Sequence, residues 1–308
     1  MAREGFRSGM IALVGETNAG KSTLLNALLG AKVSIVASKP HTTRNRILGI
    51  KTLPDSQIVL VDTPGFVVRG REKSEMGKFT SRVLQEAASG VDLVLLVVDV
   101  LRLEKNPSRI EELVSNLRDR RLGVPAIVAM NKVDAIRKDK LLPMMQLLDA
   151  KFSGGPDPVE LVPISAATGD GLDVLERIIH EKLPEGEALF PDDIVSDQPE
   201  PFLASEIIRE KMLHVLEEEV PHSAAVQIED WEDTDGLLSI QALIMVEKDS
   251  QKAIVIGKGG RQIKEIGQLA REELEQLFGV KVFLKLFVKV EADWTKTEKG
   301  LARAGYNY

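Results

Sequence analysis

The chain opens with short, continuous apolar runs separated by longer stretches of helical spacing. Residues 10–14, 57–61, 93–98, 126–130 and 159–163 are rich in Val, Ile and Leu with little polar alternation. Such runs describe strands buried on both faces, not strands with one face in water. Between them, residues 21–29, 76–88, 107–121, 139–151 and 172–183 follow the pattern of amphipathic helices. Strands alternating with helices predict a mostly parallel sheet covered on both faces.

The grammar then changes. Pro184, Pro191, Pro199 and Pro201 punctuate an acidic stretch that cannot continue a helix, and residues 184–201 are expected to form a linker. Residues 202–220 read as a helix with Ile207, Ile208, Leu213 and Leu216 as its apolar stripe. Two strands are predicted at 224–231 and 237–247, joined by a turn at Asp233-Thr234-Asp235-Gly236. Residues 262–277 return to helical spacing, and 281–290 alternate strictly. Val282, Leu284, Leu286, Val288 and Val290 share one face of that last strand; Lys281, Phe283, Lys285, Phe287 and Lys289 share the other. The order α-β-β-α-β predicts a smaller α+β domain. The Lys–Phe face could touch RNA, but its Phe rings are expected to cover the domain's helices.

Composition narrows the class. With 308 residues, 44% hydrophobic and 28% charged, the chain reads as a globular protein of two domains. No apolar run approaches the roughly 18–20 residues that span a bilayer, and the N-terminus lacks the apolar core of a secretory signal, so a cytoplasmic location is expected. Zero Cys excludes disulfides, thiolate metal sites and Cys nucleophiles, and four His leave little for a His-rich metal centre. The net charge of −7 is uneven: residues 181–250 hold 4 basic and 19 acidic residues, while residues 1–180 and 251–308 each carry +4. A basic C-terminal end permits a localised nucleic-acid site.

Candidate chemistry lies at the strand ends. Gly15-Glu16-Thr17-Asn18-Ala19-Gly20-Lys21-Ser22 fits G-x-x-x-x-G-K-[ST], between a predicted strand and a predicted helix. The backbone N–H groups of such a loop, running from Gly15 through Asn18, Ala19 and Gly20 into Lys21, Ser22 and Thr23, can surround phosphate oxygens at the positive end of the helix. Lys21 would bridge the β- and γ-phosphates, and the Ser22 hydroxyl would ligate Mg²⁺. In Asp62-Thr63-Pro64-Gly65, a carboxylate can hold Mg²⁺ through its water shell and a glycine N–H can contact the γ-phosphate. Thr42-Thr43 lies between these motifs, with Thr43 expected on Mg²⁺ and the γ-phosphate. In Asn131-Lys132-Val133-Asp134, the Asp134 carboxylate can accept the N1–H and N2–H₂ donors of guanine, a pair that adenine lacks. The Lys132 stem can lie on the base, and Asn131 can tie this loop to the phosphate loop. Ser165-Ala166-Ala167 could close over the guanine O6 with backbone N–H groups. In the second half, Gly257-Lys258-Gly259-Gly260 followed by Arg261 forms a GxxG loop. In KH domains such a loop clamps the backbone of a four-nucleotide single strand.

The ordered set resembles the motif series of translation-factor-class GTPases, each motif at a C-terminal strand end, where ligands bind in such sheets. With the KH-like half, with Pro40-His41-Thr42-Thr43-Arg44, and with a last strand running into Lys289-Val290-Glu291-Ala292-Asp293-Trp294, the chain closely resembles the Era family of bacterial GTPases over roughly residues 10–301. That resemblance implies an α/β P-loop GTPase domain at 1–183, a linker at 184–201 and a type II KH-like domain at 202–308. It implies conversion of GTP to GDP with Mg²⁺, with Lys21, Thr43 and Gly65 at the γ-phosphate; turnover is expected to be slow, because Phe66 after the Asp-Thr-Pro-Gly motif cannot hydrogen-bond the attacking water. It also implies a monomer acting on the 30S subunit, with the KH domain near the 3′ end of small-subunit (16S) rRNA. Family members also touch the inner face of the cell membrane. Phe66 stands where Ras-like proteins place the Gln that orients water, and Asn18 stands where potassium-dependent relatives hold K⁺. One departure is Glu16-Thr17, since Era-like loops usually carry Arg-Pro there. Two rival readings are an RNA-binding protein with GTP as a structural ligand and a tRNA-modifying GTPase. The latter is disfavoured by the absence of Cys and the short second half, and a P-loop kinase is disfavoured by the Asn-Lys-Val-Asp motif.

Overall fold

The computed structural model describes residues 5–37, 39, 42–65, 90–111, 124–152, 159–217 and 220–306. The helix expected at 76–88, most of that expected at 107–121, Phe66 and Pro40-His41 lie outside these residues. By its contacts the chain divides into two units: residues 1–34, 43–67 and 82–197, and residues 35–42, 68–81 and 198–308.

The first unit runs β1 (Arg7–Val14), α1 (Lys21–Leu29), β2 (Ile47–Thr52), β3 (Ser56–Asp62), β4 (Leu93–Asp99), α2 (Val100–Lys105), β5 (Ala126–Asn131), α3 (Lys138–Phe152), β6 (Glu160–Pro163) and α4 (Leu172–Lys182). One six-stranded sheet has the order β2-β3-β1-β4-β5-β6. Only β2 is antiparallel to its neighbour. Every residue of β3 and β4 is buried, as their unbroken apolar runs require. Val94, Leu96, Val98, Val128 and Met130 of the sheet pack with Met144, Leu148 and Phe152 of α3.

Strand β2 was not singled out by the apolar pattern, because Gly49 interrupts it. The glycine has a packing cause: a Cβ there would lie 2.5 Å from Leu29 and 2.7 Å from Leu25, so α1 crosses the strand where no side chain stands. The Pro-rich stretch is laid along this unit. Ile50 N–H donates to the Val195 carbonyl at 2.8 Å, and Gln57 Oε1 accepts the N–H groups of Leu189 and Phe190 at 2.7 and 2.9 Å. Phe190 and Ile194 cover Leu48, Ile50, Val59 and Val61. Proline here stops a helix without freeing the backbone.

The second unit contains α5 (Glu200–Val215), β7 (Ala225–Thr234), β8 (Leu237–Val246), α6 (Asp249–Ile256), α7 (Arg261–Phe278), β9 (Lys281–Val290) and α8 (Glu298–Arg303). Helix α5 ends at Val215, earlier than residue 220. Helix α6 was missed altogether: its eight residues end in Ala253-Ile254-Val255-Ile256, which reads as a plain apolar segment. The GxxG loop therefore joins two helices. The sheet order is β7-β8-β9, antiparallel then parallel, with β9 at an edge. Ile266, Ala270 and Leu274 recur every fourth residue of α7 and are buried against Ile240, Ala242, Ile244 and Val282.

The faces of β9 correct one expectation. Leu284, Leu286, Val288 and Val290 pack against the core beneath the helices, while Phe283 and Phe287 are exposed. Aliphatic side chains fill the layer, so the Phe rings face solvent with the Lys residues. Trp294 is buried, donates its indole N–H to the Ser223 carbonyl at 3.0 Å and stacks on Tyr306.

Candidate functional site

Strand register brings the predicted motifs to one edge of the first unit. Leu13 pairs with Asp62, Val14 with Leu96, and Asp99 with Asn131, so the loops after β1, β3, β4 and β5 leave the same side. The phosphate loop turns into α1 at Gly20, whose φ of 98° is left-handed, and a Cβ there would strike the Asn131 amide. Gly65 approaches the same loop from β3: a Cβ on it would lie 2.7 Å from the Thr17 backbone. These close approaches require glycine.

Ser22, Thr43 and Asp62 converge. Ser22 Oγ donates to Asp62 Oδ2 at 2.7 Å and lies 3.0 Å from Thr43 Oγ1; Ser34 Oγ also donates to Asp62, at 2.9 Å. Asp62 Oδ1 is buried with no hydrogen-bond partner among the described residues. Burial pushes the Asp62 carboxyl up, opposed by Lys21 and by the hydroxyls of Ser22, Ser34 and Thr43. One orphaned carboxylate oxygen beside two hydroxyls is a hard-oxygen donor set that fits Mg²⁺, which keeps waters and takes its remaining ligands from phosphate. Lys21 is buried, with Nζ donating to the Gly15 and Glu16 carbonyls at 3.0 and 2.9 Å. Burial lowers its pKa to about 8, against the pull of Asp62 and Glu16. At neutral pH the amine is still mostly protonated, and a phosphate beside it would favour that charged form further.

Asn131 joins three loops. Its amide donates to the Ala19 carbonyl at 2.9 Å, and its Oδ1 accepts the N–H groups of Lys132 and Ala166 at 2.8 and 2.9 Å. The Ala166 N–H expected over a guanine O6 is thus directed to Asn131. Lys132 donates to the Asn18 carbonyl at 2.9 Å and pairs with Asp99 at 2.7 Å. Asn18 itself has a left-handed φ of 61°. Asp134 is exposed in the short 3₁₀ turn that follows, and no hydrogen bond to a described residue ties it down. Thr63 is turned into the sheet, donating to the Leu13 carbonyl at 2.7 Å, so its hydroxyl braces β1 against β3 instead of facing a phosphate. Ser165 is fully buried, and its hydroxyl accepts the Thr168 N–H at 3.2 Å.

Sequence reasoning missed the partners of Glu16. Its carboxylate meets Arg102 at 3.1 Å and Arg109 at 2.5 Å, and Arg102 also approaches Asp99. The signal was the unusual Glu16 itself, an acid placed in a phosphate loop.

In the second unit, Gly257 closes α6 and Gly260 opens α7, both with positive φ. A Cβ on Gly257 would meet Gln262 at 3.0 Å, whereas Gly259 and Gly260 have open space where a side chain would stand. Beside this loop lies a groove of about 400 Å³ lined by Ile263, Lys264, Gly267, Gln268, Arg271, Leu284 and Leu286. Of these, only Leu284 and Leu286 were named from the sequence, as part of one face of the last strand. Apolar floor and basic rim suit unstacked bases and their phosphates.

The first unit has the architecture and edge chemistry of a P-loop GTPase, and the second has the helix–GxxG–helix arrangement of a KH domain on a three-stranded sheet. Comparison agrees: the family described as 50S ribosome-binding GTPase matches residues 10–132, and the KH domain family matches residues 219–295. GTPase Era of Geobacter sp. (strain M21) is 43% identical over 99% of this chain and 100% of its own length. GTPase Era of Xanthomonas axonopodis pv. citri (strain 306) is 42% identical over 97% of each. A solved structure of Era with MgGDPNP and nucleotides 1506–1542 of 16S ribosomal RNA has a TM-score of 0.90 and 40% identity, covering 98% of this chain and 100% of its own. An Era variant of Aquifex aeolicus bound to GDP and AlF₄⁻ has a TM-score of 0.88 and 37% identity over the same shares. The chain belongs to the Era GTPase family.

Proposed function

We propose that this chain is a GTP-hydrolysing, RNA-binding switch in assembly of the small ribosomal subunit, acting in the cytoplasm as a monomer. Its KH groove would take single-stranded RNA from the 3′ end of 16S rRNA. The observation that carries the reading is the presence in one chain of a guanine-nucleotide edge and a groove beside an open GxxG loop. Asp134 selects guanine, and Asn131 holds the base loop to the phosphate loop. Ser22, Thr43 and Asp62 would hold Mg²⁺, which when bound neutralises phosphate charge. Lys21 meets the bridging and γ-oxygens, and the Gly65 N–H fixes the γ-phosphate's orientation. Phe66 offers no hydrogen bond to water, so intrinsic turnover is slow.

Support for a switch comes from Val36 and Thr42, which group with the second unit. The Val36 N–H donates to Glu210 at 2.8 Å, and the Thr42 carbonyl accepts from Arg209 of α5. Thr43, next in the chain, is the expected γ-phosphate sensor, so its ordering by GTP pulls on a segment held by α5. Single-stranded RNA from the 3′ end of 16S rRNA is therefore expected to bind the GTP-analogue form more tightly than the GDP form. A coupling of about 5–150-fold is the ordinary range for two linked sites, and RNA must tighten GTP-analogue binding equally. Fluorescence titration of labelled RNA at one fixed salt concentration measures it. Indistinguishable affinities would remove the switch but leave the GTP and RNA sites standing.

The missing Gln raises the question of what supplies positive charge. We assign part of it to a monovalent cation beside Asn18. GTP hydrolysis is expected to run faster in K⁺ than in Na⁺ at equal ionic strength, and Asn18→Ala to abolish the difference. Equal rates of the unaltered protein in both salts would eliminate the cation and leave a protein or RNA partner to act.

A further inference from the structure

Strand β9 is a sheet edge whose two faces meet different surroundings. On one, Leu284 and Leu286 line the groove beside α7. On the other, Phe283 and Phe287 are 49% and 46% exposed, the only aromatic residues so exposed among the described residues. They alternate with Lys281, Lys285 and Lys289, all exposed. The β8 register sets Leu237, Ser239, Gln241 and Leu243 beside Lys281, Phe283, Lys285 and Phe287, which widens the strip. Lysines alone would guard a sheet edge against pairing; two bare rings do the opposite.

We infer that this outer face of β9 holds the single-stranded RNA adjoining the nucleotides in the groove, with bases on the two rings and phosphates on the lysines. The inference rests on the RNA-binding reading above. Same-face neighbours on a strand stand about 6.7 Å apart, so each ring lies between two ammonium groups in a repeating basic–aromatic track. Tracks of that kind bind single strands without reading sequence. Because β9 is the edge, a strand leaving the groove reaches the rings after passing one β-strand. Lys285 already stands over the Phe283 ring, 5.2 Å from its centroid. Lys281 and Lys289 are exposed and each lies 3.6 Å from a half-buried glutamate, Glu275 and Glu291, a long contact that leaves the ammonium group open to a phosphate. On β7, exposed Glu232 lies opposite Ser239 and Asp230 opposite Gln241, so carboxylates border this face on its far side and would confine RNA to β9. A second copy pairing edge to edge would bring like lysines together. An acidic protein segment would satisfy the lysines but has no general use for two open ring faces.

The test uses the full chain with a GTP analogue and single-stranded RNAs of about four, seven and ten nucleotides sharing one groove sequence. Affinity of the unaltered protein should climb with length. Phe283→Ser with Phe287→Ser, and separately Lys285→Glu, should keep shortest-RNA binding and the thermal transition unchanged while removing the gain, by about tenfold or more per ring. Lys285→Glu should also lower the salt slope by roughly 0.7. Equal affinity for all three lengths, or variants that keep the gain, would overturn the inference. So would a gain kept while the variants lose self-association or capture of an acidic peptide. Failure of the unaltered protein to bind even the longest RNA would sink the RNA-binding reading itself.

Discussion

Asp134→Asn is expected to weaken GTP binding about a hundredfold and to bring a matching gain for xanthosine triphosphate. The carboxylate is exposed at the mouth of the base loop, where two guanine donors can reach its two oxygens. Losing one charge-assisted bond of a bidentate pair, and gaining a donor that opposes the guanine donors, costs on the order of 3 kcal/mol. Xanthine presents a carbonyl where guanine has its amino group, so the new amide meets an acceptor. Competition of both nucleotides against a fluorescent GDP analogue measures the exchange. Unchanged GTP affinity, with no gain for the xanthine nucleotide, would show that Asp134 does not read the base.

Lys258→Asp combined with Gly259→Asp should abolish binding of single-stranded RNA while leaving GTP affinity intact. Gly259 has a left-handed φ of 63° and open space around it, so packing does not demand a glycine there. What a bare backbone permits is close approach of a phosphate chain. Two carboxylates at that point block the approach and repel the phosphates in both nucleotide states. Direct titration of RNA and of GTP on the same preparation separates the effects. If RNA binding survives, the loop is only a helix connector.

The nucleotide edge was legible because its motifs are contiguous and their order follows the strands; Asn131, Lys21 and Asp62 lie where spacing alone put them. What escaped depends on tertiary neighbours. Strand β2 was hidden by Gly49, whose presence reflects α1 lying above it. Helix α6 was hidden by its brevity, and the partners of Glu16 lie 86 and 93 residues further along the chain. The β9 alternation was read correctly, yet the choice of inward face was not. Periodicity separates two faces, but only the packed helices decide which one is dry. Thr63 likewise belongs to the phosphate motif by position and to the sheet by hydrogen bonding.

The burial of Lys21 and Asp62 bears on how long the protein persists in a cell. Without a ligand, an amine held by two carbonyls and a carboxyl with one oxygen unpartnered among the described residues are charges whose removal from water is only partly offset. Nucleotide adds to that offset, and ligand that binds only the folded chain adds stability in proportion to the logarithm of its concentration over Kd. The empty chain is therefore the form that opens most often, and opening is what exposes a chain to proteases. Cellular lifetime should then track guanine-nucleotide supply, falling in cells starved of GTP and GDP together. Limited proteolysis with and without GDP reports the effect directly: the ligand should slow cleavage of the unaltered chain, and equal digestion rates would break the link.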